Sequence, residues 1–296
     1  MDSNTLETLV AEPAPLLAKT ASERRPYLTI KADKGWVPLN LGEIWQFRDL
    51  MFALALRDIK LRYKQTALGV IWVVLQPLLT AGILTFVFGS VAKMDSGPIP
   101  YFVFLYAGQM AWGLFSSVLT KAGGSLVGNT NLIAKVFFPR LILPLSALPS
   151  SLLDFLIALC VLTGLLVVYH ITPGLGVLLL PVWLGLLLMY AIGAGLIVTS
   201  LMVSYRDVAY MLPLAMQILF YCCPLAYLVT KIPAKALFWY NLNPLASIFA
   251  SITWSVFGVG TLHWDRLGYG AGGAVAMLLI GVFSFKHMEK KFADVI

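Results

Sequence analysis

Charged residues are scarce in this sequence. Asp, Glu, Lys and Arg make up 12% of its 296 residues, against about 25% in a soluble domain. Apolar residues make up 59%. Several stretches run uncharged for 20 or more residues, enough to cross a hydrocarbon core about 30 Å thick. A soluble globular domain is excluded, and an all-α polytopic membrane protein is expected.

Other absences narrow the chemistry. No Gly-Lys pair occurs, so there is no P-loop and no nucleotide site to draw on this chain. His170, His263 and His287 lie far apart at span ends, with no carboxylate or cysteine at metal-ligand spacing. The three cysteines, Cys160, Cys222 and Cys223, sit in apolar stretches. There they act as small hydrophobes, and an odd set with two adjacent members is no disulfide framework. Gly123-Gly124-Ser125 lacks the closing glycine of a hydrolase elbow. The first 40 or so residues are polar, so no cleavable signal peptide is expected.

Asp154 is the one carboxylate inside a predicted span. A proton- or sodium-coupled carrier needs several such groups and paired broken helices in an internal repeat, and no repeat is found. Asp154 reads as one side of a polar contact with Ser150 and Ser151, one turn away. The net charge of +7 crowds into the N-terminal segment and the span ends. Topology and anionic headgroups explain it there without a nucleic-acid partner.

What is present divides cleanly. Residues 1–42 form a polar, proline-dotted arm. Residues 43–65 read as an amphipathic helix in the membrane interface, because their apolar middle is too short to span. The region 66–286 holds six spans: Ala67–Val91, Pro100–Leu126, Leu145–Val168, Gly176–Val203, Val208–Val229 and Gly268–Phe285. Residues 287–296 are a tail. With the N-terminus inside, sixteen of the 21 Lys and Arg fall in cytoplasmic connections and four outside. Both termini are therefore expected in the cytoplasm. Within 231–260, Asn241, Asn243 and Pro244 break an apolar stretch into pieces too short to cross alone. That stretch reads as a re-entrant helical hairpin, with a seventh span as the alternative.

A transporter without its own engine needs cytoplasmic surfaces for a partner. Three pieces qualify. One is the basic end of the interface helix (Arg57, Lys60, Arg62, Tyr63, Lys64, Gln65), whose cations also suit a phosphate-bearing lipid substrate. The second is the loop 127–144, where Asn131, Leu132, Lys135, Phe138 and Arg140 flank a short apolar run suited to docking in a groove. The third is Tyr205-Arg206-Asp207. Topogenic charge and headgroup contact remain the simpler account of all three. Aromatics on the spans (Trp72, Tyr106, Trp112, Phe115, Tyr221, Tyr227) read either as an interfacial belt or as a conduit offering flat rings to sugars. Gly268, Gly272 and Ala276 form a small-residue row, a plausible close helix contact.

Arg57-Asp58-Ile59-Lys60-Leu61-Arg62-Tyr63-Lys64-Gln65-Thr66, with Leu68-Gly69, Trp72 and Gln76-Pro77-Leu78 after it, closely resembles the signature of ABC exporter permeases for cell-surface polysaccharides. The resemblance continues through Asn131 to Arg140, Tyr205-Arg206-Asp207-Val208, Pro224, Tyr227, Pro233 and Asn243-Pro244, from about residue 26 to the C-terminus. It implies the permease of an O-antigen or teichoic-acid exporter in the cytoplasmic membrane, working as a homodimer with two copies of a separate ABC ATPase. ATP and Mg would then sit on that partner, with no cofactor on this chain. The cargo would be a polyprenyl-pyrophosphate-linked glycan, entering past Arg57, Lys60 and Arg62 through Gln65. The loop 127–144 and Tyr205–Asp207 would couple to the ATPase. A membrane-embedded glycosyl- or acyltransferase is the alternative. It would want an exposed Asp or His constellation, whereas Asp49, Asp58 and Asp207 are scattered.

Overall fold

The computed structural model describes residues 41–64, 69–94, 96–229, 232–259 and 264–289. Gln65, the arm up to residue 40 and the tail from residue 290 lie outside the described residues. Among the described residues every regular element is helical.

Helices α1 (Leu41–Gln46) and α2 (Arg48–Lys64) occupy the predicted interface segment. They are two helices rather than one, separated at Phe47. α2 is rich in Leu, Ala, Arg and Lys, which are strong helix formers. Asp49 lies in its first turn and Arg62 and Lys64 in its last, both favourable to the helix dipole. It packs on the helices Gly69–Leu84, Ile142–Leu145 and Ala147–Val168.

Among the described residues, five helical stretches are long and apolar enough to span: Ile71–Val91, Tyr101–Gly124, Ile142–Val168, Leu175–Ser204 and Trp264–Glu289. The first comprises α3 (Gly69–Leu84), which tolerates Pro77, and a π-helical continuation over Thr85–Val91. The others contain α4 (Tyr101–Gly124), α7 (Ala147–Val168), α8 (Leu180–Ser204) and α12 (Trp264–Glu289). Two short helices, α5 (Thr130–Lys135) and α6 (Ile142–Leu145), join α4 to α7.

The expected fifth span differs. α9 covers only Val208–Tyr221, about 21 Å of helix. Pro224 supplies no amide proton and disfavours helical backbone at Cys223 before it, so the helix stops short of Val229.

α4 forms the centre of the bundle, with Val103, Tyr106, Met110, Phe115 and Val118 buried among α7, α8 and the helix Pro244–Phe257. Several polar groups on the long helices bond internally, as an apolar surrounding favours. Thr85, Thr163 and Ser200 hydroxyls donate to carbonyls four residues back. Between helices, Thr199 lies 2.7 Å from the Ala122 carbonyl and Trp183 donates to Ser255 at 2.6 Å. Ile71, Leu79, Ile83 and Phe86 of the first stretch stay exposed, as expected of a surface that meets acyl chains or another apolar face.

The tightest crossing joins α8 to α12. Gly193 lies against the Met277 carbonyl and Gly281 against the Gly193 carbonyl, where a Cβ on either would overlap backbone. This corrects the expected row: Gly268 and Gly272 face open space, and Ala276 is exposed. The contact face is instead Gly270, Gly273, Ala274 and Gly281.

α10 (Ala234–Asn241) and α11 (Pro244–Phe257) are separated by the predicted break. The Asn243 side chain accepts from the Leu245 amide and its own amide lies 3.3 Å from the Cys222 carbonyl. Pro244 sits at the first helical turn, where its missing donor costs nothing. The break lies beside Tyr269 and Gly273 of α12, while Phe257 reaches Phe104 near the start of α4. Asn243→Ala removes the cap and should destabilise the fold by about 1 kcal/mol. The check is the melting temperature of the purified protein, and an unchanged value would remove the cap's assigned role.

Candidate functional site

The site begins with the energetics of one carboxylate. Asp154 lies two turns into α7, largely shielded from solvent. An ionised group there needs partners. Arg62 forms a salt bridge to Oδ2, and the Tyr63 hydroxyl donates to Oδ1 at 2.6 Å. Both come from the last turn of α2, so Asp154 pins the basic end of the interface helix to the bundle. Lys121 of α4 approaches the same carboxylate at 3.6 Å.

The serines are used differently from the expectation. Lys121 Nζ donates to Ser150 and Ser151 at 3.0 and 3.3 Å, and Ser151 meets Ser117 at 2.9 Å. The polar contact of Asp154 is therefore with Arg62, Tyr63 and Lys121, while the serines solvate the lysine. Burial, followed by the neighbouring Asp154 carboxylate, pushes the Tyr63 phenol upward, so the hydroxyl stays a donor.

Arg57 makes a second tie, donating to Asn129 at 3.0 Å while also pairing with Asp58. Asn129 closes a 3-10 turn just before α5 and donates to the Ser125 carbonyl. The structure thus links the first and second cytoplasmic pieces read from sequence. Lys60 and Lys64 are exposed beside them.

On the second piece, Asn131 and Lys135 are exposed and Leu132 half-buried. Phe138 is buried in the core, so it anchors the loop and offers no ring to a partner. Phe137, its neighbour, is 65% exposed and is the aromatic available for docking. Arg140 donates to the Glu289 carbonyl at 2.9 Å, tying the loop to the end of α12. Tyr205, Arg206 and Asp207 lie exposed between α8 and α9. No hydrogen bond described joins them to the other two pieces.

The aromatics separate into two groups. Tyr106 and Phe115 are completely buried, and the Tyr106 hydroxyl donates to the Ala158 carbonyl. Neither ring, read from sequence as belt or conduit lining, reaches a surface of the protomer. Phe115 and the half-buried Trp112 belong to a cluster with Tyr190, Phe220 and Phe249, at centroid spacings of 5.3 to 6.3 Å. Such pairs add about 0.5–1.5 kcal/mol each beyond area burial, so the cluster knits α4, α8, α9 and α11 together. Trp72 and Tyr221 are exposed, and Tyr227 is half-buried with its hydroxyl on the Tyr221 carbonyl. Lys121, Asn129 and Phe137 are the additions that sequence reasoning did not single out.

Five membrane-capable helices among the described residues, with α2 clamped to one end of their bundle, mark an integral membrane protein. The comparisons identify which kind: residues 49–257 match the ABC-2 type transporter family, and the chain belongs to it. It is 32% identical over 263 residues to the O-antigen export system permease protein RfbA of Klebsiella pneumoniae, covering 87% of this chain and 97% of that one. It is 27% identical to RfbA of Myxococcus xanthus, covering 85% and 97%. Against the polysialic acid transport protein KpsM of Escherichia coli the figure is 25%, covering 80% and 93%.

Proposed function

We propose that this chain is the permease of an ABC transporter that exports a polyprenyl-pyrophosphate-linked polysaccharide across the cytoplasmic membrane. A separate ATPase subunit drives it, in a complex of two permeases and two ATPases, with Mg-ATP bound on the ATPase. The observation that carries this reading is the near full-length similarity to O-antigen export permeases. The Arg57, Arg62 and Tyr63 clamp supports it, because it gives a partner's push on the loop after α4 a short path to the interface helix.

In this mechanism Asn131, Leu132, Lys135, Phe137, Tyr205, Arg206 and Asp207 meet the ATPase. Lys60, Lys64 and Gln65 meet the pyrophosphate at the cytoplasmic entrance. Trp72, Tyr221 and Tyr227 are the rings available to a moving glycan. The membrane topology has both termini in the cytoplasm, with α9 and the turns after it as the fifth of six crossings and α10–α11 as a re-entrant hairpin.

Depletion of the protein in its native cell should accumulate full-length lipid-linked glycan on the inner leaflet, read by mass spectrometry of extracted lipids. The purified permease should bring down an ATPase subunit and hydrolyse no ATP alone. Normal surface glycan without accumulation would sink the reading. A shortened or unmodified glycan would instead indicate a transferase.

A further inference from the structure

A cavity of about 630 Å³ opens between α10, α11 and the first turns of α12. That size falls within the range of small-ligand pockets, about 300–1,000 Å³. It lies at the end of the bundle away from α2, beside the start of α4 and the turn that leads into α8. The export reading makes this the exit side.

The wall has two kinds of surface. The rings of Tyr240, Trp254 and Tyr269 supply flat apolar faces, and Asn241, Asp265 and Arg266 supply polar groups. No hydrogen bond or ion pair is described for the side chains of Asn241, Asp265 and Arg266, which stand in the wall with polar groups to offer a ligand. The Tyr269 hydroxyl donates to the Leu242 carbonyl and keeps lone pairs for a further partner. Tyr240 carries a buried hydroxyl with no partner among the described residues, a cost that a ligand-induced adjustment of the wall would relieve.

Charge decides among ligand classes. Asp265 and Arg266 are adjacent and cancel, so the wall is not cationic. A phosphate would meet one guanidinium offset by a carboxylate. An acyl chain would leave the amide and both charges unused. A neutral polyhydroxylated ring uses every feature: hydroxyls bridge carboxylate and guanidinium, and a C–H face lies on an indole or phenol ring.

We propose that this cavity is a saccharide-binding site that holds one or a few neutral sugar residues of the polymer on the exit side. The proposal rests on the polysaccharide-export reading and deepens it. By retaining sugar units after passage, such a site biases the chain against slipping back.

The test uses the full-length chain in nanodiscs of phosphatidylethanolamine and phosphatidylglycerol. Two neutral hexose trisaccharides, mannotriose and maltotriose, are the probes, followed by saturation-transfer NMR. At least one should bind saturably with low-millimolar affinity. Trp254→Leu should weaken it by about tenfold, equivalent to about 1.4 kcal/mol, and Trp254→Phe by less. Asp265→Asn combined with Arg266→Gln changes side chains at the mouth and guards against a Trp254 variant that fails to fold; it should also weaken binding about tenfold. Absence of saturable binding, equal binding in wild type and variants, or displacement of sugar by glycerophosphoethanolamine would each overturn the proposal. Glycan accumulation on depletion together with variant-insensitive binding removes only this site. Unchanged glycan on depletion removes the export reading, whatever the binding shows.

Discussion

Asp154→Asn will loosen the interface helix from the bundle and reduce export at least tenfold. The substitution keeps the size of the side chain but removes the charge that Arg62 and Lys121 share and weakens the acceptor for Tyr63. Removing one partner of a buried pair costs roughly 3–5 kcal/mol, and an exposed pair is worth about 0–1. Arg62 is 43% exposed at its side chain and Asp154 15%, which places the loss between those limits, at about 2–3 kcal/mol. Faster proteolytic cleavage near Lys64 in the purified protein should accompany a lower melting temperature.

Arg62→Gln should cost less alone, and the double variant should fall short of additivity, since both changes break one contact. Full additivity would mean that the salt bridge contributes nothing. The Tyr63 bond adds a pH signature. Its phenol is raised in the folded protein, so its contribution is complete below the ordinary tyrosine value of about 10 and is lost only as pH rises through the folded value. The clamp should therefore hold unchanged across the physiological range.

Gly281→Val will abolish accumulation of the folded protein. Its side chain would have to occupy the space of the Gly193 carbonyl on α8, and backbone cannot yield as a flexible side chain can. Overpacking costs typically about 1–3 kcal/mol when side chains can adjust, and here the helix pair itself must separate. Gly193→Leu should behave alike, for the same crossing seen from the other helix. Gly272→Leu is the comparison, because that glycine faces open space; it should express and remain folded. Equal accumulation of Gly281→Val and Gly272→Leu would refute the crossing.

The two predictions show where sequence reading stops. An apolar stretch announces a span, so five of the six expected spans appear as long helices with nearly the expected limits. Pro244 after Asn243 announced a helix break, since proline suits a first turn and asparagine a cap. The shortfall of α9 follows from Pro224, a local signal outweighed at first by the hydropathy of the surrounding run.

Which face of a helix packs is a different question. In a lipid-facing bundle both faces are apolar, so periodicity does not mark the buried side. The row Gly268, Gly272, Ala276 and the row Gly270, Gly273, Ala274 look alike in sequence, and only the neighbouring α8 and α11 distinguish them. The aromatics follow the same rule: Tyr106 and Trp72 read as equals, yet one is core and the other surface.

Charges lie between these cases. Lys121 and Asp154 are opposite charges near the same end of two consecutive spans, so a pairing could have been drawn from sequence. That Arg62 and Tyr63 join them from a separate helix could not.

Composition and signature residues by themselves determined a helical membrane protein resembling polysaccharide-export permeases. Both follow from local properties: hydropathy sets what can sit in a bilayer, and a motif is a run of neighbours. Tertiary structure alone decided that Asp154 holds the interface helix, that Gly193 and Gly281 cross, and that α10, α11 and α12 enclose a cavity. These depend on contacts between residues from 27 to 92 positions apart, where the fold, and no local rule, sets the distance.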